Sequence, residues 1–247
     1  MVTWWAGTLG PGIPSTAENG RPDRLYDPPM TFPQEGLTDT SDMVNVHQVF
    51  RSSLASGPYF VASAAGSDER RALIANYYLN LVEFLEVHHQ GEEVLVFPLL
   101  SERAVDHRSV VEESARQHAE VETLMANVKE TMSDWQSAGD VTAEGPLASL
   151  QALDEVLVPH LNQEQSTIVP LASRYLSPQE WGQLPGHAMG HFGGDKIWLI
   201  MGLIRENFTQ AQRAMMLERM LPPARQMWES MGEAAFTELI AQVRQAG

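Results

Sequence analysis

The chain has 247 residues, 43% of them apolar, which is enough for one large domain with a packed core. It contains no cysteine, which excludes disulfides, thiolate nucleophiles and cysteine-ligated metal sites, so any metal ligands must be nitrogen or oxygen atoms. Its 32 acidic and 16 basic residues give a net charge of -16, a field that repels phosphate backbones, so nucleic-acid binding is not expected.

The N-terminal segment, residues 1–40, holds many of the prolines and glycines and shows no steady hydrophobic period. We interpret it as an irregular arm. The aromatic residues that could anchor it to a bundle surface are Trp4, Trp5, Tyr26 and Phe32. Its first residues do not resemble a secretory signal, and the longest apolar run, residues 197–204, is far shorter than the ~20 residues that span a bilayer. We therefore expect a cytoplasmic protein without membrane contact.

Helical periodicity begins near Asp42 and predicts four helices before residue 170, with no strand. The first contains DMVNVHQVFRSSL and ends at a loop around Gly57 and Pro58, and the second is capped by Ser67 and runs to about Pro98. The third and fourth are predicted at about 106–137 and 146–169. Short connections favour an antiparallel arrangement, so residues 41–175 are predicted to form an all-α, antiparallel four-helix bundle.

The last part of the chain, residues 176–247, is predicted to be a helical extension packed on the bundle. Proline at position 178, directly after Ser177, is typical of a helix start, and three more helices are predicted at about 195–206, 209–220 and 222–243. Five methionines follow helical spacing here, which is more typical of adaptable core packing than of a binding groove. These methionines are Met215, Met216, Met220, Met227 and Met231.

One pattern occurs twice in the predicted bundle. Residues 88–98 are HHQGEEVLVFP and residues 160–170 are HLNQEQSTIVP. When the two segments are aligned on Pro98 and Pro170, both follow H-x-x-x-E-x-x-x-x-x-P. In a helix, positions i and i+4 lie only about 40° apart around the axis, so the histidine and glutamate of each segment face the same way.

The two histidine–glutamate pairs lie on or beside the apolar stripes of their helices. They are His88 with Glu92 and His160 with Glu164. An inward-facing glutamate is costly unless it is paired or bound to a cation. Helices 1 and 3 add His47 and His118, so the bundle would hold four imidazoles and two carboxylates that can bridge two cations. A nitrogen and oxygen set of this kind suits iron best, then manganese or zinc.

Taken together, these segments resemble the hemerythrin-like (HHE cation-binding) family. The matching segments are VHQVFR at 46–51, HHQGEEVLVFP at 88–98, QHAEVE at 117–122 and HLNQEQSTIVP at 160–170. The resemblance implies a four-helix bundle around a non-haem site of two iron ions joined by an oxo or hydroxo bridge. It also implies that this site interacts with O2, peroxide or nitric oxide. By match, the metal ligands would be His47, His88, Glu92, His118, His160 and Glu164.

The chain departs from the oxygen-carrying members of this family. Those have a second histidine on helix 3 where this chain has Glu122, which could ligate, leave its position to water, or do neither. They also have an aspartate five residues after the last histidine, whereas Glu164 follows His160 by four. We therefore expect an oxidoreductase that reacts with O2 or peroxide, the alternative being a protein that binds or senses O2 or nitric oxide without turnover.

Three further histidines fall outside the predicted ligand set. His89 points about 100° away from His88 along the helix, so we expect it beside the site or on the surface, where Glu93 could pair with it. His187 and His191 would share a face with Asp195 if that segment were helical, but we expect a glycine-rich loop there rather than a second metal site. Whether the protein is an enzyme, and its oligomeric state, stay open at this point.

Overall fold

The computed structural model describes residues 36–137 and 142–245, and every regular element in these ranges is helical, without a strand. Most of the predicted arm therefore lies outside the described residues. Its proposed aromatic anchors, Trp4, Trp5, Tyr26 and Phe32, all lie there as well. In the described ranges, no helix combines the length and the apolar composition that a membrane crossing requires.

In the described residues of the predicted bundle region there are seven helices. They are α1 Ser41–Ala55, α2 Gly57–Ala62, α3 Asp68–Gly91, α4 Phe97–Arg103, α5 Arg108–Ser137, α6 Glu144–Ser166 and α7 Ile168–Tyr175. A π-helical turn, Glu92–Val96, joins α3 to α4, and a short 3-10 turn precedes α5. The long helix α5 packs along both α3 and α6, and α1 packs along α6.

Helix α3 starts as predicted, because the Ser67 side chain accepts a hydrogen bond of 3.2 Å from the backbone N–H of Arg70. Two other expectations are wrong. The predicted loop at Gly57 is the start of helix α2, and the chain stays helical past Pro98. Proline is tolerated there because it occupies the first turn of α4, where a backbone N–H has no helical partner in any case.

The second proline of the repeat also follows a helix interruption. Helix α6 ends at Ser166, and Thr167 then donates its backbone N–H to the carbonyl oxygens of both Gln163 and Glu164. Helix α7 begins at the next residue, so Pro170 lies in its first turn. The predicted end near residue 169 is wrong for the same reason as at Pro98. Each proline restarts a helix just beyond the glutamate of its segment.

Two apolar clusters fill the interior, and we call them the large core and the small core. The large core joins α1, α2, α3, α5 and α6 to the C-terminal helices, and the small core is built around α4 and α7. Each of the four long segments passes from one core to the other. The residues that flank these crossings are Met43 and Val49, Val87 and Val96, Val111 and Val121, and Leu161 and Ile168. All predicted ligands fall within the crossings except His160, which directly precedes Leu161.

The chain after α7 forms six helices and a second π-helical turn. They are α8 Pro178–Trp181, α9 Leu184–His191, α10 Asp195–Glu206, α11 Gln210–Arg219, α12 Pro222–Met227, the π turn Trp228–Gly232, and α13 Glu233–Arg244. The predicted start at Ser177 is confirmed, because Ser177 and Glu180 form a reciprocal capping box. The predicted glycine-rich loop at residues 186–195 is wrong as far as His191, because Leu184–His191 is α9, and only residues 192–194 are non-helical.

The C-terminal helices share the large core with the bundle. Trp198, Trp228 and Phe236 all belong to it. Helices α10 and α13 approach closely where Gly202 faces the ring of Phe236, because a Cβ at that position would collide with the ring. The extension is therefore packed against the bundle through apolar side chains.

Candidate metal centre

Seven buried side chains meet between the two cores. They are His47 of α1, His88 and His89 of α3, Glu92 of the π turn, His118 of α5, and His160 and Glu164 of α6. Their exposed fractions run from 0% for His47 and Glu164 to 8% for His88. Six of the seven are the predicted ligands, and the structure adds His89.

The first group of metal-capable atoms, which we call the His47 cluster, contains His47, His88, Glu92 and Glu164. One ligand atom from each of these residues lies within 4.8 Å of the others. The rings of His47 and His88 are 5.2 Å apart and nearly perpendicular. Two imidazoles and two carboxylates therefore converge on one point.

The second group, the His89 cluster, contains His89, His118 and His160, again with all three ligand atoms within 4.8 Å of one another. The ring of His89 stacks on that of His118 at a centroid distance of 4.0 Å. His89 is only 4% exposed, so the expectation of a surface position is wrong. The angle of about 100° between neighbouring helical residues turns His88 toward His47 of α1 and His89 toward His118 of α5.

Glu164 contacts both clusters, one with each carboxylate oxygen. Its Oε2 lies 3.6 Å from Nε2 of His47. Its Oε1 lies 3.2 Å from Nε2 of His118 and 3.4 Å from Nε2 of His160. A carboxylate in this position can bind one cation through each oxygen.

Glu92 also lies between the clusters. Its Oε2 is 3.8 Å from Nε2 of His88 in the His47 cluster and 3.6 Å from Nε2 of His118 in the His89 cluster. The π turn that begins at Glu92 is the kind of helix irregularity that is frequent at functional sites. The two glutamates thus connect the two groups of imidazoles.

Two histidines of the His89 cluster are oriented by hydrogen bonds on their outer side. Nδ1 of His118 donates to Oε1 of Glu93 at 3.0 Å, and Nδ1 of His160 donates to Oε1 of Gln117 at 2.9 Å. The predicted pairing of Glu93 with His89 is therefore wrong. Because each Nδ1 carries the proton, each Nε2 presents its lone pair to the centre, which is the arrangement that metal-binding histidines use.

Burial favours the neutral form of four of the five histidines of the site. Burial lowers the pKa of His47 to about 4. Burial also lowers the pKa of His88 and His89 well below its ordinary value, and lowers that of His160. Neutral imidazoles keep the lone pair that a metal ion needs.

The two carboxyl groups differ in their affinity for a proton. Burial, and next the nearby carboxylate of Glu164, raise the pKa of Glu92 well above its ordinary value. Burial alone would also raise the pKa of Glu164, but the close contacts of its carboxylate with the rings of His118, His160 and His47 lower it to about 2. Of the two carboxyl groups, Glu92 therefore has the greater affinity for a proton, and binding of a cation would favour its ionised form.

Many polar atoms at this site have no hydrogen-bond partner among the described residues. They are both ring nitrogens of His47 and of His89, Nε2 of His88 and of His160, and Oε2 of Glu92 and of Glu164. Leaving a buried polar atom unpaired costs about 1–3 kcal/mol each. Cations within the two clusters would provide partners for the carboxylate oxygens and for one nitrogen of each ring, so the residues fit a metal centre.

The remaining candidates lie outside this centre. Glu122 is exposed on α5, and His89 provides the third imidazole of the second cluster instead. The rings of His187 and His191 are 4.6 Å apart, but these two residues belong to no metal-capable group found in the described ranges. Asp195 is exposed at the start of α10.

Comparison with known families identifies the fold and the class of site together. The profile of the hemerythrin HHE cation binding domain matches residues 38–172, which is more than half of the chain and contains all seven side chains of the centre. The chain belongs to this family. Comparisons with curated protein sequences and with solved structures gave no significant match.

Proposed function

We propose that the protein is a non-haem di-iron protein and that all seven side chains are its metal ligands. His47 and His88 would bind one iron, and the His89 cluster would bind the other. Glu92 and Glu164 would bridge both irons. The observation that carries this proposal is the set of buried, unpartnered nitrogens and oxygens that form two groups joined by two carboxylates.

The proposed arrangement of the bundle is four antiparallel helices, spanning residues 41–175, with residues 176–247 as the extension. The direction of the core crossings supports it. Helices α1 and α5 run from the small core to the large core, whereas α3 and α6 run from the large core to the small core. We also retain the cytoplasmic location as part of the proposal.

The proposed activity is that of an oxidoreductase which uses O2 or peroxide. Bound iron would supply the change of oxidation state and the binding of the small oxidant. The protein would supply neutral imidazoles, two bridging carboxylates and aromatic walls that exclude water. Phe50 lies 5.4 Å from His88, and Phe97 lies 5.2 Å from His118, between ring centroids.

The second candidate function is binding or sensing of O2 or nitric oxide without turnover. One observation favours the enzyme: a cavity of about 600 Å³ reaches His88, and a gas molecule needs no such volume. The two functions differ in a simple experiment. A binding protein forms a persistent coloured adduct with O2 or nitric oxide, whereas an oxidoreductase consumes peroxide or O2 in the presence of a reductant.

The decisive test of the metal centre is the metal content of protein grown in iron-supplemented medium, together with its near-ultraviolet spectrum. We expect about two irons per chain, with charge-transfer bands, as in other di-iron carboxylate bundles. The double variant H47A/H160A removes one imidazole from each cluster and provides the matched negative control. Protein that takes up neither iron, manganese nor zinc on reconstitution would overturn the proposal.

A further inference from the structure

The bundle and the C-terminal extension together line the cavity of about 600 Å³, which is partly open at the surface. Its walls come from α1 and α3 of the bundle and from α9, α10 and α11 of the extension. Ligand pockets commonly have volumes of about 300–1,000 Å³, so the cavity is large enough for an organic molecule. It also reaches the metal centre, because His88 is one of its lining residues.

The lining is mostly apolar and is rich in methionine. Representative lining residues are Val46, Phe84, Met201, Ile204, Met216 and Met220. The prediction that the five C-terminal methionines pack as a core is confirmed for Met216 and Met220, which pack against the large core, and wrong for Met227 and Met231. Met215, Met216 and Met220 line the cavity, whereas Met227 and Met231 are 49% and 53% exposed. Methionine side chains adapt to irregular apolar ligands, and such residues are common at binding surfaces that accept several molecules.

The charged residues of the lining argue against an anionic ligand. The lining contains two carboxylates, those of Asp39 and Asp42, and one guanidinium, that of Arg219. The chain as a whole carries a net charge of -16, which adds to this repulsion. A fatty acid or a phosphorylated molecule is therefore disfavoured. An uncharged molecule is not repelled.

One side chain in the cavity wall, that of His187, has a polar atom available for a hydrogen bond to a ligand. Nε2 of His187 is buried and has no hydrogen-bond partner among the described residues. The imidazole is held beside α3 because Gly91 lacks a side chain, since a Cβ there would lie 3.2 Å from Cδ2 of His187. Burial lowers the pKa of His187, which keeps the ring neutral and able to donate to a carbonyl or to accept from a hydroxyl.

We propose that the cavity binds an uncharged, mainly apolar small molecule whose single hydroxyl or carbonyl group hydrogen-bonds to His187, beside His88. As the substrate class of the proposed oxidoreductase this inference rests on the proposed function, but the binding itself requires no metal. The extension thereby completes a pocket that the bundle helices alone would leave open.

The test is a fluorescence titration of the full chain with N-phenyl-1-naphthylamine, an uncharged apolar probe, followed by competition. We expect decan-1-ol to displace the probe and decanoate, matched in chain length, to displace it at least about ten-fold less well, because the carboxylate is repelled. Equal competition by decanoate would overturn the choice of an uncharged ligand.

Filling the cavity provides the matched pair of variants. Met216→Trp should lower the affinity for the probe at least about ten-fold, because the larger ring occupies the cavity. Met227→Trp adds the same side chain on an exposed position of the extension and should bind normally. Unchanged binding by Met216→Trp, with a circular dichroism spectrum like that of the wild type, would overturn the proposed location.

The proposed polar contact has its own test, which keeps the inference falsifiable if Met216→Trp does not fold. His187→Phe removes the ring nitrogens and nearly keeps the volume. We expect the affinity for decan-1-ol to fall about five-fold, as for loss of one hydrogen bond, while the affinity for the probe stays within two-fold, about the scatter of such measurements. An unchanged affinity for decan-1-ol would overturn the role of His187.

The titrations are made on metal-free and on iron-loaded protein. Binding by both forms, with a shift of the iron bands when decan-1-ol is added, supports a pocket beside the centre. Normal iron uptake without any binding overturns the pocket and leaves the proposed function intact. Binding only after removal of residues 1–35 would make that segment the occupant and would also overturn the inference.

Discussion

The two halves of the metal centre differ in the number of imidazoles and in their surroundings. The His89 cluster has three imidazoles, two of them fixed by outer hydrogen bonds to Glu93 and Gln117. The His47 cluster has two imidazoles, and neither has an outer hydrogen bond to a described side chain like those of His118 and His160. His88 is also the most exposed of the seven side chains and lines the cavity.

This difference suggests a division of roles between the two halves. A metal ion with more protein ligands, some of them oriented by outer hydrogen bonds, is held more firmly and has fewer positions for other molecules. The His47 cluster has one imidazole fewer and lies beside the space that can hold a ligand. We therefore expect the His89 cluster to retain its iron more strongly and the His47 cluster to be the half that reacts.

Removal of a bridging carboxylate should have the largest effect, because Glu164 contacts both clusters. We expect Glu164→Ala to bind less than about half of the wild-type iron, since both ions lose an oxygen ligand. Elemental analysis of protein reconstituted with iron measures this directly. Glu122→Ala, an exposed glutamate on α5, is the control. Full iron content in Glu164→Ala would show that the carboxylate does not bridge the two ions.

Acid should destabilise the metal-free protein because both clusters contain buried histidines that are protonated more readily in the unfolded chain. An unfolded chain protonates His47 as the pH falls below 6.5, but the folded chain does so only near pH 4. The unfolded state therefore binds more protons in this window, so the free energy of unfolding falls as the pH falls. For His47 alone the difference is on the order of 3 kcal/mol.

Burial also lowers the pKa of His88, His89 and His160, so these residues likewise lower the free energy of unfolding as the pH falls. Glu92 acts in the opposite direction, because its raised pKa makes the folded state hold a proton that the unfolded state has lost. Four imidazoles outweigh one carboxyl group. The thermal unfolding midpoint should therefore be lower near about pH 5 than near about pH 7. His47→Phe should reduce this dependence, and an equal midpoint at both values would contradict the assignment of buried neutral histidines.

Loss of His89 should weaken iron binding by the His89 cluster far more than iron binding by the His47 cluster. We expect His89→Ala to weaken binding of one iron(II) ion by more than about a hundred-fold and to leave the other closer to normal, because only the second cluster loses a ligand. Anaerobic competition with a chelator would resolve the two affinities. His107→Ala removes an exposed histidine of the 3-10 turn and should have no effect. Two normal affinities in His89→Ala would exclude His89 from the ligand set.

The sequence predicted six of the seven side chains of the centre because their spacing is that of a helix face. His47, His118 and the two histidine–glutamate pairs all lie within or directly beside the segments that cross between the cores. His89 was missed because a single helix was treated as having one inward face. Helix α3 in fact faces α1 on one side and α5 on the other, and the doubled HH and EE of residues 88–93 were the available signal.

The cavity could not be predicted from the sequence for a different reason. The spacing of Met215, Met216 and Met220 is the same whether the helix packs against a core or borders an empty space. Only the relative placement of α9, α10 and α11 distinguishes the two, and that placement depends on contacts between distant segments, such as Gly202 with Phe236. The helix ends at Pro98 and Pro170 were likewise misplaced, because proline can restart a helix as well as end one.

The smallest expected effect tests whether outer hydrogen bonds strengthen the His89 cluster. Glu93→Gln keeps an oxygen that can accept the proton on Nδ1 of His118 but removes the negative charge. The imidazole then becomes a weaker electron donor, so we expect the affinity of that cluster for iron(II) to fall about ten-fold, with little change in the other cluster. Glu120→Gln, an exposed substitution two residues from His118, controls for the change in net charge. Equal losses in both variants would mean that the charge acts through the field of the whole protein and not through the hydrogen bond to His118.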